Sequence, residues 1–367
     1  MVRFDPAKLS IEEKIGQLFF IGIPGPEIDT PTAELLGKVR PGGVCIFARN
    51  IKGAEQTRSL LDNIIQSSPV LPFLSLDQEG GRVDRLRRVL PPMPAASQLR
   101  TTEDAAELGT IIGEAISVLG FNIDFAPVVD VITPDRAEFI NGLQTRGLGN
   151  TKEEVVDLAR AFLDSLSQHG VLGCLKHFPG LAASTLDSHE ELPVVPVGED
   201  EIYETDLYPY RELLNHGDLA VMVAHAVYPN AGLQEADPDG KLLPSSLDPK
   251  IVTSLLRDEL KFKGIAITDD MEMGAIVKHF GIGEATKLAI KAGEDMIAIC
   301  ASEKAIYEAF TAVSNAVSSG EISEDRLDNS IQRIFALKSK ISESPSFDPD
   351  RLSDINKRIQ KLSQHLN

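Results

Sequence analysis

The chain has 367 residues, 43% of them hydrophobic and 25% charged, which are ordinary proportions for a globular protein. Its 36 Lys and Arg stand against 55 Asp and Glu, giving a formal net charge of −19 that opposes non-specific binding to nucleic acid or to an anionic membrane surface. An anionic small substrate is not barred, because local charge decides that. Three cysteines, Cys45, Cys174 and Cys300, are too few for a disulfide framework, and no CxxC pair points to structural zinc.

Asp5, Lys8, Glu12, Glu13 and Lys14 interrupt the apolar start that a signal peptide needs. No stretch approaches the ~18 apolar residues of a membrane helix. A cytoplasmic protein with reduced thiols is expected.

Eight short apolar runs read as buried strands: Gln17–Ile23, Gly43–Ala48, Pro72–Leu76, Ile123–Val129, Leu172–Lys176, Ala220–Ala224, Gly264–Thr268 and Asp295–Ile299. They are continuous rather than alternating, as in parallel sheets covered on both faces. Helical periodicity fills Ala54–Gln66, Glu103–Leu119, Lys152–Gln168, Glu199–Leu214, Pro249–Leu260 and Glu284–Ala292. This alternation predicts an α/β protein with a (β/α)8 TIM-type barrel, a single domain with C-terminal helices. The expected boundaries are a barrel over 1–345 and a helical tail over 346–367. Helical stretches at Glu303–Ser319 and Glu324–Ile341 follow the eighth run.

In such a barrel the chemistry sits at the C-terminal ends of the strands. Asp77 ends the third run and Asp130 the fourth. Lys176 and His177 end the fifth, His225 the sixth, and Asp269 with Asp270 the seventh. Five consecutive strands ending on ionisable groups suggest a site for a hydroxyl-rich small molecule with acid/base chemistry. Competing site types have weak support. None of the seven histidines forms an HxH pair, although Asp187 and His189 could supply two metal ligands. No phosphate-binding GxGxxG or GxxxxGK[ST] loop occurs, nor a GxSxG nucleophile elbow. No metal and no cofactor are expected.

Paired-group glycoside chemistry fits better. It needs a carboxylate near the anomeric carbon and a proton donor near the leaving oxygen. Asp269 suits the first task. The segment 178–197 carries Asp187, His189, Glu190 and Glu191 as possible donors. Asp187 and His189, two residues apart, can hydrogen-bond, and the carboxylate would orient the imidazole and raise its pKa.

The runs Leu76-Asp77-Gln78-Glu79-Gly80-Gly81-Arg82-Val83-Asp84-Arg85, Lys176-His177-Phe178-Pro179-Gly180, Asp187-Ser188-His189 and Thr268-Asp269-Asp270-Met271-Glu272-Met273 resemble glycoside hydrolase family 3, and within it the bacterial β-N-acetylglucosaminidase (β-hexosaminidase) branch. They span most of residues 10–300 in that branch's order. The resemblance implies a retaining mechanism with Asp269 as nucleophile, Asp270 in support, His189 as acid/base and Asp187 as its partner. It implies that Asp77, Arg85, Lys176 and His177 hold the sugar hydroxyls or the loop around them. Arg146, in Thr145-Arg146-Gly147-Leu148-Gly149, matches a substrate-binding arginine of the family. Asp130 and His225 are candidates for sugar contact or for structural roles. Glu79 and Arg82 read as scaffold charges that pair within their own loop.

Two departures stand out. Leu181-Ala182 follows Lys-His-Phe-Pro-Gly where the family often has His-Gly, and Arg146 lacks the aromatic or Ser usual nearby. Family β-glucosidases and β-xylosidases typically take their acid/base from a second domain. This chain ends soon after the barrel, so its proton donor is expected within the barrel, which favours the glucosaminidase branch. Single-barrel members of that branch remove terminal N-acetylglucosamine from muropeptides in cell-wall recycling. The expected partner is a carbohydrate substrate, with no nucleic acid, no membrane and no obligate protein partner. Four alternatives remain: a related glucosidase or xylosidase, a phosphorylase, a metal-dependent barrel hydrolase, and a catalytically silent sugar-binding protein.

Overall fold

A computed structural model of the chain describes residues 6–139, 142–184 and 192–367. Eight parallel strands line its centre: β1 (Phe19–Gly22), β2 (Gly43–Cys45), β3 (Phe73–Leu76), β4 (Ile123–Asp124), β5 (Gly173–Phe178), β6 (Leu219–Val223), β7 (Ile265–Thr268) and β8 (Ile297–Ile299). Ladder pairing joins β8-β1-β2-β3-β4 and, separately, β5-β6-β7. At the two seams the ladder gives way to single parallel bridges, Ile123 with Leu172 and Ile267 with Met296. The order is that of a (β/α)8 barrel, although ladder pairing does not run continuously around it. Every strand residue is buried, as a sheet enclosed on both faces requires.

The fourth strand is shorter than its apolar run. Pro127 has no N–H to give to a ladder, and pairing resumes only as a bridge from Val128 to Lys176. The helices follow from local signals. Thr101 caps Thr102–Leu119 in a reciprocal box with Asp104, and Thr151 caps Lys152–Gln168 by accepting from the Glu154 N–H. These two helices approach closely at Gly109, where a Cβ would lie 2.5 Å from the Phe162 carbonyl oxygen. Two helices unmarked in the apolar pattern also form, Ile11–Gln17 and Thr30–Val39. In the Pro249–Leu260 region the backbone bonds span five residues, as from the Leu260 N–H to Leu255.

The last helix, Pro349–Leu366, buries Leu352, Ile355, Ile359 and Leu362. Arg358 ties it to the helix Thr102–Leu119 by a bidentate pair with Glu107 at 2.9 and 2.9 Å. Among the described residues, no helix is long and apolar enough to cross a membrane.

Candidate active site

A cavity of about 430 Å³ opens at the C-terminal ends of the strands. Asp77, Arg85, Arg146, Lys176, His177, Asp269 and Asp270 all line it. Seven strand-end or loop residues named from sequence therefore converge. Phe47, Phe125, Leu181, Met222 and Met273 supply apolar wall.

Asp77 directly follows β3. Its two carboxylate oxygens meet different cations, Lys176 Nζ at 2.9 Å and an Arg85 guanidinium nitrogen at 3.4 Å. Burial would push the Asp77 carboxyl up. Lys176, and then Arg85, override burial and hold it well below the usual carboxylate range. Arg85 reaches Asp77 because a hairpin, Gln78–Gly80 paired with Val83–Asp84, turns the chain back over the mouth. The turn needs glycine: Gly80 has φ +84°, Gly81 has φ +56°, and a Cβ on Gly80 would sit 2.2 Å from the Pro94 carbonyl oxygen. Gln78 staples the hairpin from inside, donating to Asp84 and accepting from the Arg85 and Leu86 N–H groups.

Behind this layer stands Glu79. It does not pair within its own loop, as the sequence alone suggested. It binds Arg146 through both carboxylate oxygens, at 2.8 and 2.9 Å, and Lys176 at 2.5 Å. Burial raises the Glu79 carboxyl, and Lys176 and Arg146 more than reverse that. Conversely, burial pulls the Lys176 ammonium down, and Asp77 and Glu79 hold it above its ordinary value. Lys176 is thus a fixed cation between two fixed anions.

Asp130 and His225 do not reach the cavity wall. Asp130 is buried and sits behind His177. Its Oδ2 lies 2.7 Å from His177 Nδ1, and its Oδ1 accepts from the Leu181 N–H at 2.6 Å. Asp130 therefore aims the imidazole and anchors the chain beyond it, while His177 Nε2 lies 3.4 Å from Arg146. His225 Nδ1 is 2.7 Å from the Ser246 hydroxyl, and its Nε2 is 3.1 Å from the Asp270 carbonyl oxygen. It supports the turn that carries the aspartate pair. Arg82, the other presumed scaffold charge, is exposed and lines the cavity.

Asp269 follows β7, and its N–H donates to the Val223 carbonyl at 3.0 Å. Its Oδ1 accepts from the Asp270 N–H at 2.8 Å. Asp270 accepts from the N–H groups of Glu272 and Cys300. Burial, reinforced by the Glu272 and Asp269 carboxylates, pushes the Asp270 carboxyl up to about 7, against the partial opposition of those N–H bonds.

Asp187 and His189 lie outside the described residues. On either side the chain is anchored. Leu181, in place of the family's usual histidine, lines the cavity and bonds Asp130, and Val194 bridges to Val227. Asp124 is a carboxyl that sequence reading passed over. It is fully buried, accepts from the Gln78 N–H at 2.9 Å, and burial drives it well above its ordinary value.

A parallel barrel whose mouth gathers carboxylates, a fixed lysine, a histidine and three arginines around one open cavity defines a carbohydrate-active barrel enzyme. A family model described as "Glycosyl hydrolase family 3 N terminal domain" matches residues 10–337. The chain is 31% identical over 334 residues to Beta-hexosaminidase A of Pseudoalteromonas piscicida, an alignment covering 85% of this chain and 55% of that protein. It is 32% identical to Beta-hexosaminidase LpqI of Mycobacterium tuberculosis, covering 91% and 84% respectively. A solved glycoside hydrolase family 3 β-N-acetylglucosaminidase from Paenibacillus superposes with a TM-score of 0.85 at 32% identity, covering 97% of this chain and 69% of that one. The chain belongs to glycoside hydrolase family 3, and it is a glycosidase.

Proposed function

We propose that the protein is a retaining exo-β-N-acetylglucosaminidase. The observation that carries this reading is the placement of Asp269 on the wall of the cavity that also holds Asp77, Arg85, Arg146, Lys176 and His177. The relatives named β-hexosaminidase favour the N-acetyl sugar.

The residues divide the work. Asp77, Arg85, Arg146, Lys176 and His177 hold the hydroxyls of the terminal sugar. Asp269 attacks the anomeric carbon and forms a glycosyl-enzyme, while His189 protonates the leaving oxygen. His189 then takes a proton from the water that hydrolyses the intermediate, and Asp187 stabilises the imidazolium in both steps. Asp270 stands behind the nucleophile. The natural substrate in this reading is a muropeptide fragment, degraded in the cytoplasm during cell-wall recycling.

The test is release of nitrophenol from matched β-N-acetylglucosaminide, β-glucoside and β-xyloside by wild type, Asp269→Ala and His189→Ala. Preference for the N-acetyl sugar is expected, with turnover abolished by Asp269→Ala. His189→Ala is expected to harm poor leaving groups far more than nitrophenolate. Substantial turnover by Asp269→Ala, or equal losses across leaving groups in His189→Ala, would overturn the respective role.

A further inference from the structure

The mouth of the cavity carries more positive charge than the sugar chemistry uses. Inside, the cations are matched: Lys176 lies between Asp77 and Glu79, Arg146 grips Glu79, and Arg85 faces Asp77. Outside, most are not. The lip formed by the hairpin after β3 and the turn after β2 bears Arg49, Arg82, Arg87 and Arg88, in a chain whose formal net charge is −19. Three of these arginines are tethered to backbone carbonyls. Arg49 donates to Ile23 and Cys300, Arg88 to Ala48 and Ile51, and Arg87 to Gly81. A carbonyl satisfies N–H groups without cancelling charge. Asp84, 3.7 Å from Arg87, is the acidic partner among the described pairs of this lip. Arg82 is exposed, lines the cavity, and makes no described hydrogen bond or ion pair.

A terminal N-acetylglucosamine is neutral, so it gives this lip no charge to pair with. An exo-acting pocket takes that sugar inward and leaves the rest of the substrate at the mouth. We propose that Arg82, backed by this arginine lip, binds a carboxylate on the leaving-group side of the glycosidic bond and so selects acidic aglycones. The proposal rests on the reading of the cavity as a glycosidase pocket for a terminal sugar. Arginine suits the task, because its planar fork pairs with a carboxylate through two parallel N–H bonds. The site is open to solvent, so the expected discrimination is modest and sensitive to salt.

The experiment compares two aryl β-N-acetylglucosaminides, 4-nitrophenyl and a carboxylated nitrophenyl, with wild type, Arg82→Gln and Arg82→Lys. The readout is the ratio of kcat/KM for the acidic over the neutral substrate, which a general loss of activity does not move. Dividing the wild-type ratio by the variant's cancels the intrinsic reactivity of the two leaving groups. We expect Arg82→Gln to lower the ratio by about threefold to tenfold at low salt. Arg82→Lys should restore part of it, and high salt should shrink the difference. A ratio unmoved by Arg82→Gln overturns the proposal. So does phosphate-dependent formation of a glycosyl phosphate in wild type that Arg82→Gln loses, because that assigns the arginine to an incoming phosphate. Failure of the N-acetylglucosaminidase reading looks different: both substrates go uncleaved while β-glucosides turn over. The same ratio is then measured on the corresponding glucoside pair, and the two outcomes above apply unchanged.

Discussion

Glu79 holds Arg146 through both guanidinium-facing oxygens, Oε2 at 2.8 Å and Oε1 at 2.9 Å, while Oε1 also touches Lys176 at 2.5 Å. One buried carboxylate thereby fixes two cations that arrive from separate strands, Lys176 in β5 and Arg146 in the loop after β4. Removing one partner of a buried ion pair costs about 3–5 kcal/mol, because it strands the other charge. Glu79→Ala should lose about that much stability in urea denaturation, and Glu79→Gln less, since its amide keeps one acceptor. Both variants should also raise KM for the aryl N-acetylglucosaminide more than they lower kcat, because Lys176 and Arg146, which we propose hold the sugar, lose their fixed positions. A KM that stays at the wild-type value in a folded Glu79→Gln would show that Glu79 supports the fold alone.

Asp130 acts through His177 without facing the cavity. A single carboxylate satisfies His177 Nδ1, the His177 N–H and the Leu181 N–H. Asp130→Asn replaces one acceptor oxygen by a donor that meets an N–H head on. One unsatisfied buried donor costs about 1–3 kcal/mol. The loss in kcat/KM should be on the order of tenfold in a variant that still folds. Wild-type kinetics in a folded Asp130→Asn would remove His177 aiming from the account.

The barrel and most of its site were legible because each strand announces itself as a buried apolar run closed by an ionisable residue. Asp77, Lys176, His177 and Asp269 follow that rule and reach one cavity. The rule fails one layer back. Asp130 and His225 also end runs, but a strand-end position does not say whether a side chain faces the mouth or braces its neighbour. Pairing across loops was hidden as well. Glu79 lies 67 residues from Arg146, and nothing in the spacing links them. Asp124 did carry a signal, a lone carboxylate inside the run Ile123–Val129, and inward-facing Asp in a barrel strand is a reason to look. The helix Thr30–Val39 was obscured by Pro31 in its first turn and by Gly37, which break the apparent period although Asp29 caps it soundly. At Asp187 and His189 the proposed chemistry still rests on sequence.

Asp270 carries a pH dependence of stability whose sign is fixed by its environment. Burial, with the Glu272 and Asp269 charges, raises its folded pKa from 3.8 to about 7. The folded state therefore holds this proton more tightly than the unfolded chain does. The stability this provides is fully present below pH ~4 and is lost as pH rises through about 7. Asp270→Asn keeps an acceptor for the Glu272 and Cys300 N–H groups and removes the ionisation. Its stability relative to wild type should rise between pH 5 and 8, by roughly a few kcal/mol. Parallel stability curves for the two proteins over that window would contradict an elevated Asp270.

Lys338 gives the opposite slope at the other end of the barrel. Its ammonium is buried on the rings of Phe73 and Phe335, with centroids 5.3 and 5.8 Å away, and donates to Gln17 Oε1 at 2.7 Å. No described carboxylate pairs with it, and burial lowers its pKa from 10.5 to about 7. The unfolded chain binds this proton more tightly, so the group's contribution is present above pH ~10.5 and is lost as pH falls through about 7. Lys338→Met replaces the cation with a thioether of similar length. It should stabilise the protein at pH 7 by about 1–3 kcal/mol, the relief of desolvation less the cost of leaving Gln17 Oε1 unpartnered. That advantage should shrink steadily toward pH 9.5 as the wild-type lysine is spared its charge. Urea denaturation at both pH values reads the difference directly. A variant less stable than wild type at pH 7, with a gap independent of pH, would mean that the cation contacts with Phe73 and Phe335 outweigh the cost of burial.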